Sequence, residues 1–305
     1  MKPIKDIHLS KDMKVTELSS QLASSGFMAQ HFGEAVQILR EAEKEDATLF
    51  LSFTSNMAAS GLRGIFADLA ARKKIAAIIT SSGSIDEDLI RSSQPYLQGS
   101  FEADDEQLAK QGMNRMGNIL VPNQGYEWLD DFSAASLEKI YQKKKELATN
   151  ELLKEIGLLV NSKDSFVHQA AINGIPIFCP GITDGSFGMQ LSFFGQKHPD
   201  FKVDVLKDFN NLLALAMGAK KSACIILGGG VAKHHTIIAN ILSGGFDYAV
   251  YVNSSSPYHG SLSGATTSEA KSWGKIKPGA RSVTIFGDAM FIFPLLVASV
   301  DELML

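Results

Sequence analysis

The stretch Ala223-Cys224-Ile225-Ile226-Leu227-Gly228-Gly229-Gly230-Val231-Ala232-Lys233-His234-His235 decides the fold. Five apolar residues in a row are too few for a core helix. They show no alternation, so they read as a strand buried on both faces. Three glycines then turn the chain, and a helical pattern starts at Val231. A doubly buried strand feeding a helix through a tight turn is the unit of a parallel sheet covered by helices.

The same grammar recurs outward from this point. Residues 48–53 read as a strand that runs into Thr54-Ser55-Asn56 and a helical pattern over 57–72, with Ser55 or Asn56 as its cap. Residues 75–80 form another strand, ended by Ser81-Ser82-Gly83-Ser84, and Asp86-Glu87-Asp88 open the next helix. Residues 175–179 lead into Pro180-Gly181-Ile182-Thr183-Asp184-Gly185-Ser186. Strands at 248–253 and 283–286 follow, with a last helix over 289–303 behind Gly287-Asp288. An opening helical pair falls at 13–22 and 32–42, and further helices at 162–173 and 204–217. The stretch 96–123 is irregular. Residues 137–159 read as one long amphipathic helix whose Lys143-Lys144-Lys145 run is a solvated face. Six or more strands alternating with helices predict an α/β fold, a mainly parallel sheet with helices on both faces, Rossmann-like. With no repeat, low-complexity tract or linker, residues 1–305 read as one domain, 1–45 being a helical N-terminal extension.

Composition supports a packed core: of 305 residues, 45% are hydrophobic and 20% charged. A net charge of −4 argues against broad binding to nucleic acid and fits a cationic substrate better. Cys179 and Cys224 sit in apolar runs without metal-ligand spacing, as buried thiols of a reducing compartment do. The opening Met1-Lys2-Pro3-Ile4-Lys5-Asp6 lacks the apolar core of a signal peptide. No run approaches the ~20 apolar residues that span a bilayer. A cytoplasmic protein with no membrane partner is expected.

Ligands of such sheets bind beyond the carboxyl ends of the strands. There, the amides of Gly228-Gly229-Gly230 suit a pyrophosphate at a helix N-terminus, or make a tight turn with no ligand. Ser55-Asn56, Thr80-Ser81-Ser82-Gly83 and Thr183-Asp184-Gly185 add hydroxyls and amides, and Glu87 or Asp88 suits a ribose hydroxyl pair. Together they favour a dinucleotide. Neither histidine of Lys233-His234-His235 has zinc-ligand spacing, so no metal is expected. A histidine near a helix N-terminus tends to stay neutral, which suits a proton acceptor as well as a structural role. Residues 260–275 run from a small-residue loop to Trp273-Gly274-Lys275. A lysine desolvated beside a tryptophan can yield a neutral amine that attacks a carbon–nitrogen double bond. The alternative is a solvated lysine at a loop tip. Without a G-x-S-x-G elbow, P-loop or H-E-x-x-H, Lys275 is the best nucleophile, with Trp273 as apolar wall and Glu269 as cation anchor.

These residues resemble a known family. The segments 227–235, Thr54-Ser55-Asn56, 114–123 (Asn-Arg-Met-Gly-Asn-Ile-Leu-Val-Pro-Asn), Thr183-Asp184-Gly185-Ser186, Tyr248-Ala249-Val250-Tyr251 and Ser272-Trp273-Gly274-Lys275 are similar to deoxyhypusine synthases. The likeness runs from about residue 45 to the C-terminus. It implies NAD-dependent transfer of an aminobutyl group from spermidine, through an imine on an enzyme lysine, to a lysine of a translation factor. By match to the Trp-Gly-Lys motif, Lys275 is that lysine, and His234 of Lys-His-His is the proton acceptor. Trp273, Glu269, Ser263 and His259 fall in the substrate-binding set. Ser55, Asn56, Glu87, Asp184, Gly229 and Asp288 fall on NAD-contacting motifs, and Thr80, Ser81, Gly83, Gly230 and Ser254 complete that set. The resemblance also implies a homotetramer with sites at subunit interfaces.

Two departures stand out. The synthases close Thr-Asp-Gly-Ser-x-Gly-Asp with an aspartate, where this chain has Met189. Their acidic Asp-Gly-Ser-Asp-Ser-Gly loop here reads His259-Gly260-Ser261-Leu262-Ser263-Gly264. Leaving a buried charge unpaired costs roughly 3–5 kcal/mol. The expectation is therefore a deoxyhypusine synthase-like transferase with an altered amine pocket, for which a free diamine can be the acceptor, as in homospermidine synthases. The alternatives are a true deoxyhypusine synthase whose site Gln190 or His259 rebuilds, and a catalytically silent NAD- or amine-binding paralogue.

Overall fold

The computed structural model describes residues 3–300. It divides into two compact units. One comprises the chain up to Phe53, Lys74–Ile79 and the chain from Asn210 onward; the other comprises Thr54–Lys73 and Thr80–Phe209.

In the first unit lie β1 (Thr48–Phe53), β2 (Ala77–Thr80, of which Thr80 is assigned to the second unit), β3 (Ser222–Leu227), β4 (Phe246–Asn253) and β5 (Ile276–Phe286), in the order β5-β4-β3-β1-β2. The β1–β3, β3–β4 and β4–β5 pairs are all parallel, with Phe50 beside Cys224 and Val250 beside Ile225. Every residue of β3 is buried, which explains its unbroken apolar run. Filling such a position stabilises by about 1.5–3 kcal/mol per aliphatic side chain.

Helix α1 (Phe27–Lys44) packs on β4 and β5. It buries Phe32, Ala35, Val36, Leu39 and Ala42, one stripe at helical spacing. Helix α2 (Gly230–Ala239) follows β3 and packs against β1. A short helix α3 (Thr267–Ser272) precedes β5, and α4 (Ala289–Ser299) follows it. The backbone N–H of Gly228 donates to Val252 and that of Gly287 to Asn253, so the ladder continues one residue past β3 and β5. The mainly parallel sheet and its helices match the α/β, Rossmann-like expectation.

The second unit carries helices Ser55–Ala59, Arg63–Ala71, Ser82–Arg91, Asn123–Tyr141, Thr149–Leu159, Phe166–Asn173 and Ser186–Lys197. A small antiparallel sheet joins Leu97–Gln98, Ile119–Pro122 and Met113–Met116, its hairpin turning at Gly117 with φ +61°.

Several local expectations fail for identifiable reasons. The single helix over 137–159 is two helices separated by the strand Glu146–Ala148, which pairs with Lys202–Asp204 and buries Leu147 fully. The lysine run had masked that break. The helix over 57–72 is interrupted at 60–62, and Ser55 and Asn56 lie inside its first half instead of capping it. Asp86, Glu87 and Asp88 do not open a helix; they lie within Ser82–Arg91 and are buried. The irregular stretch 96–123 hides the hairpin. The strand over 175–179 shrinks to Ile177–Phe178, whereas β5 begins seven residues before the expected 283. Residues 301–303 of the last expected helix lie outside the described residues.

Candidate active site

Within the first unit, a cavity of about 400 Å³ is lined by Lys275, Trp273, Glu269, His234, Lys233 and Leu262, among others. Each reaches it through an identifiable local device.

Thr266 starts α3 by accepting the Glu269 N–H on its hydroxyl (3.2 Å), which sets Glu269 in the first turn. The helix stops in a Schellman motif. Gly274 adopts φ +67° and donates to Lys271, while Lys275 N–H reaches back to the Ala270 carbonyl at 3.1 Å. The Lys275 carbonyl then accepts from Phe246 N–H of β4. Both backbone polar groups of Lys275 are thus fixed, and the residue is 8% exposed. Its ammonium lies 5.5 Å from the Trp273 ring centre, although Trp273 itself is 67% exposed. Lys275 is therefore not a solvated loop-tip lysine.

On the opposite wall, Gly228 (φ +81°) and Gly230 (φ +65°) adopt left-handed conformations that turn β3 directly into α2. Lys233 and His234 on the first turns of that helix line the cavity. Burial, helped by the nearby Lys275, holds the His234 imidazole below its ordinary pKa and so favours the neutral ring. His235 is pushed to about 4 by burial and by His234.

The loop after β4 closes on the glycine turn. Ser263 Oγ accepts the Gly230 N–H at 3.0 Å, and a Cβ on Gly229 would come within 2.5 Å of Ser263 Cβ. Leu262 lines the cavity. His259 does not: it is exposed, and its Nδ1 accepts the Ser261 N–H at 3.1 Å. Met189 is exposed on Ser186–Lys197, and the Gln190 amide donates to Asp130 at 2.6 Å. Both belong to the second unit.

The expected cofactor residues fall into two sets. In the first unit, Gly229 and Gly230, Ser254 and Asp288 follow the carboxyl ends of the adjacent strands β3, β4 and β5. Asp288 also caps α4 through Met290 N–H. In the second unit, Gly83 packs against Ser55, with 3.0 Å from an added Cβ to the Ser55 Cβ. Thr80 donates to Ser84, and Ser81 lies 3.4 Å from the same hydroxyl. Asn56 accepts from Thr54, and Asp184 is exposed. Glu87 accepts from the Tyr96 hydroxyl, and burial raises its carboxyl to about 6. Asp88, the other acid suited to a ribose, is occupied: Arg63 Nε lies 2.6 Å away, and Ser165 and the amides of Phe166 and Val167 also donate to it. Asp86 accepts the amides of Ser186 and Phe187.

Two residues were passed over in the sequence. Lys233 was visible only as a neighbour of His234. Asn253, at the end of β4, buries an amide nitrogen with no hydrogen-bond partner among the described residues. A polar side chain closing an apolar strand was its one signal. No cluster of His, Cys, Asp and Glu among the described residues could hold a metal ion, and none of their helices is long and apolar enough to cross a membrane.

The family profile described as deoxyhypusine synthase matches residues 17–300. A protein named probable deoxyhypusine synthase from Thermoplasma acidophilum is 45% identical over 299 residues, covering 97% of this chain and 96% of its own. Another of that name, from Pyrococcus furiosus, is 40% identical over 306 residues, covering 95% and 91%. The crystal structure of a putative deoxyhypusine synthase from Entamoeba histolytica superimposes with a TM-score of 0.65 at 24% identity, covering 98% of this chain and 96% of that one; it shows the fold. The chain belongs to the deoxyhypusine synthase family.

Proposed function

We propose that this protein is a deoxyhypusine synthase-like, NAD-dependent aminobutyl transferase that acts on a polyamine through an imine on Lys275. Its amine pocket is altered. The observation that carries this reading is the cavity in which Lys275, His234, Glu269 and Leu262 meet. Among the described residues lining it, Glu269 is the one acid, where the related synthases hold the amine with several.

The residues fit a dinucleotide. Gly229 puts a backbone amide at the positive end of α2, Gly230 (its own N–H taken by Ser263) has open space where a Cβ would stand, and Asn253 offers a buried unpaired donor. Within the first unit, Gly229, Gly230, Ser254 and Asp288 would hold the cofactor. NAD, when bound, would accept a hydride from the carbon beside the secondary amine and later return it.

The chain's own residues do the rest. Glu269 holds a cationic end of the amine, and the Trp273 face packs along its methylenes. His234, kept neutral, takes the proton released when the donor amine becomes an imine. Lys275 Nζ then attacks the imine carbon. A new carbon–nitrogen bond forms, the bond to the departing diamine breaks, and the aminobutyl group stays on Lys275 as an imine. The acceptor amine repeats the exchange and frees the lysine.

A free diamine is the acceptor that the altered pocket favours. The second reading, a lysine of a translation initiation factor, is favoured by the names of the relatives. A cytoplasmic homotetramer with sites at subunit interfaces goes with both.

Borohydride reduction during incubation with NAD and spermidine should leave an adduct on Lys275, located by peptide mass spectrometry. Transfer to putrescine without transfer to the factor supports the altered-acceptor reading, and transfer to the factor supports the second. No adduct with any polyamine would leave a silent NAD- or amine-binding paralogue.

A further inference from the structure

Lys233 is 0% exposed, yet no acidic side chain among the described residues lies within hydrogen-bonding reach of its ammonium. It donates instead to two backbone carbonyls, Ala265 at 2.6 Å and Ser263 at 3.2 Å, and sits 4.8 Å from the Tyr251 ring centre. Both carbonyls belong to the loop that brings Leu262 to the cavity. The same loop is tied a second time by Ser263 Oγ on Gly230 N–H. A buried cation without a carboxylate partner is a costly way to hold a loop, because desolvation opposes its charge. An apolar residue of similar volume would serve the core better, so the ammonium answers to something other than stability.

We propose that Lys233 is a positioning residue whose ammonium clamps the loop Leu262–Ala265 onto the glycine turn and so fixes the shape of the amine cavity. The part of this that concerns amines rests on the function proposed above; the clamp itself does not.

The groups facing Lys233 are Glu269 on α3, Lys275 at the head of β5, Cys224 on β3, Tyr251 on β4 and His234 on its own helix. Glu269 and Cys224 favour the charged form and Lys275 opposes it. Burial dominates and brings the lysine to about 8. Below that pH the clamp is charge-assisted; above it the neutral amine makes weaker bonds to the carbonyls and loses its attraction to the Tyr251 face.

The test is amide hydrogen exchange over residues 260–266 in the wild type and in Lys233→Met, without amine or cofactor. Exchange in this segment should rise roughly tenfold in the variant while the strands stay protected. The wild type, corrected for intrinsic rates, should show the same loosening as pH passes about 8, and the variant should not. The variant's melting temperature should be unchanged or higher. Equal exchange in both proteins, or a wild-type loop indifferent to pH from 7 to 9.5, would overturn the clamp. If Lys233→Met does not fold, the wild-type pH series decides alone. In parallel, the KM for spermidine in adduct formation should rise more than kcat falls. If exchange responds but wild type forms no adduct, the function fails and the clamp stands. If adduct forms but exchange does not respond, the clamp fails and the function stands.

Discussion

Lys275 holds its ammonium 5.5 Å from the centre of the Trp273 ring while its own N–H and carbonyl are tied to Ala270 and Phe246. The proposed nucleophile is thus a side chain on a fixed backbone, two residues from the tryptophan. Lys275→Ala should therefore abolish the borohydride-trapped adduct and lower transfer by about 1,000-fold or more, with folding unchanged by circular dichroism. Trp273→Ala should keep the adduct but raise the KM for the amine about 2–30-fold, the value of one cation–ring contact. A Lys275→Ala protein that still transferred the group would end the imine mechanism.

Leu262 and Glu269 give a paired prediction. Leu262→Asp adds a second carboxylate to the cavity and should lower the KM for spermidine by about 10-fold or more. Glu269→Gln should raise it by a similar factor. In the double variant the two changes should partly offset each other, because one carboxylate is lost and one gained. Steady-state kinetics over a spermidine series would show it, and a Leu262→Asp protein with poorer binding would mean that the amine's second charge does not lie near this loop.

Asp88 anchors the second unit. It takes Arg63, Ser165 and two amides of the helix Phe166–Asn173 at once. Asp88→Asn leaves Arg63 buried without its counter-charge and should cost about 3–5 kcal/mol in urea unfolding.

Glu87 gives a pH dependence. Burial raises its carboxyl from 4.5 to about 6 in the folded chain. Folding therefore favours the protonated group, whose contribution is fully present below pH 4.5 and is lost as pH rises through 6. The difference amounts to about 2 kcal/mol. Glu87→Gln should flatten the stability profile over pH 4.5–6 relative to wild type, measured by chemical denaturation.

Much of this was readable from residue patterns. The β3 run and its glycines gave both a strand end and a helix start to within one residue, because full burial removes every polar position and left-handed φ demands glycine. The chemistry of Lys275 was less visible. Trp-Gly-Lys describes a loop tip equally well, and only the Schellman closure and the pairing with Phe246 bury the lysine. Periodicity misled at 137–159, where the strand between the two helices is only three residues long. Asp86, Glu87 and Asp88 looked like a helix start but serve three different sets of partners, which no spacing rule separates. Lys233 was hidden because its partners are main-chain carbonyls far along the sequence.

The contact between Gly229 and Ser263 leaves no room for even a methyl group. The glycine turn and the cavity loop are therefore already as close as backbone allows, and any side chain at 229 would push the loop away. Substrate preference in this protein would change most readily by exchanging side chains on a rail that stays in place, and Leu262 is the kind of exchange such a rail permits. An engineer seeking a new amine would do better to vary positions 262 and 269 singly than to lengthen the loop.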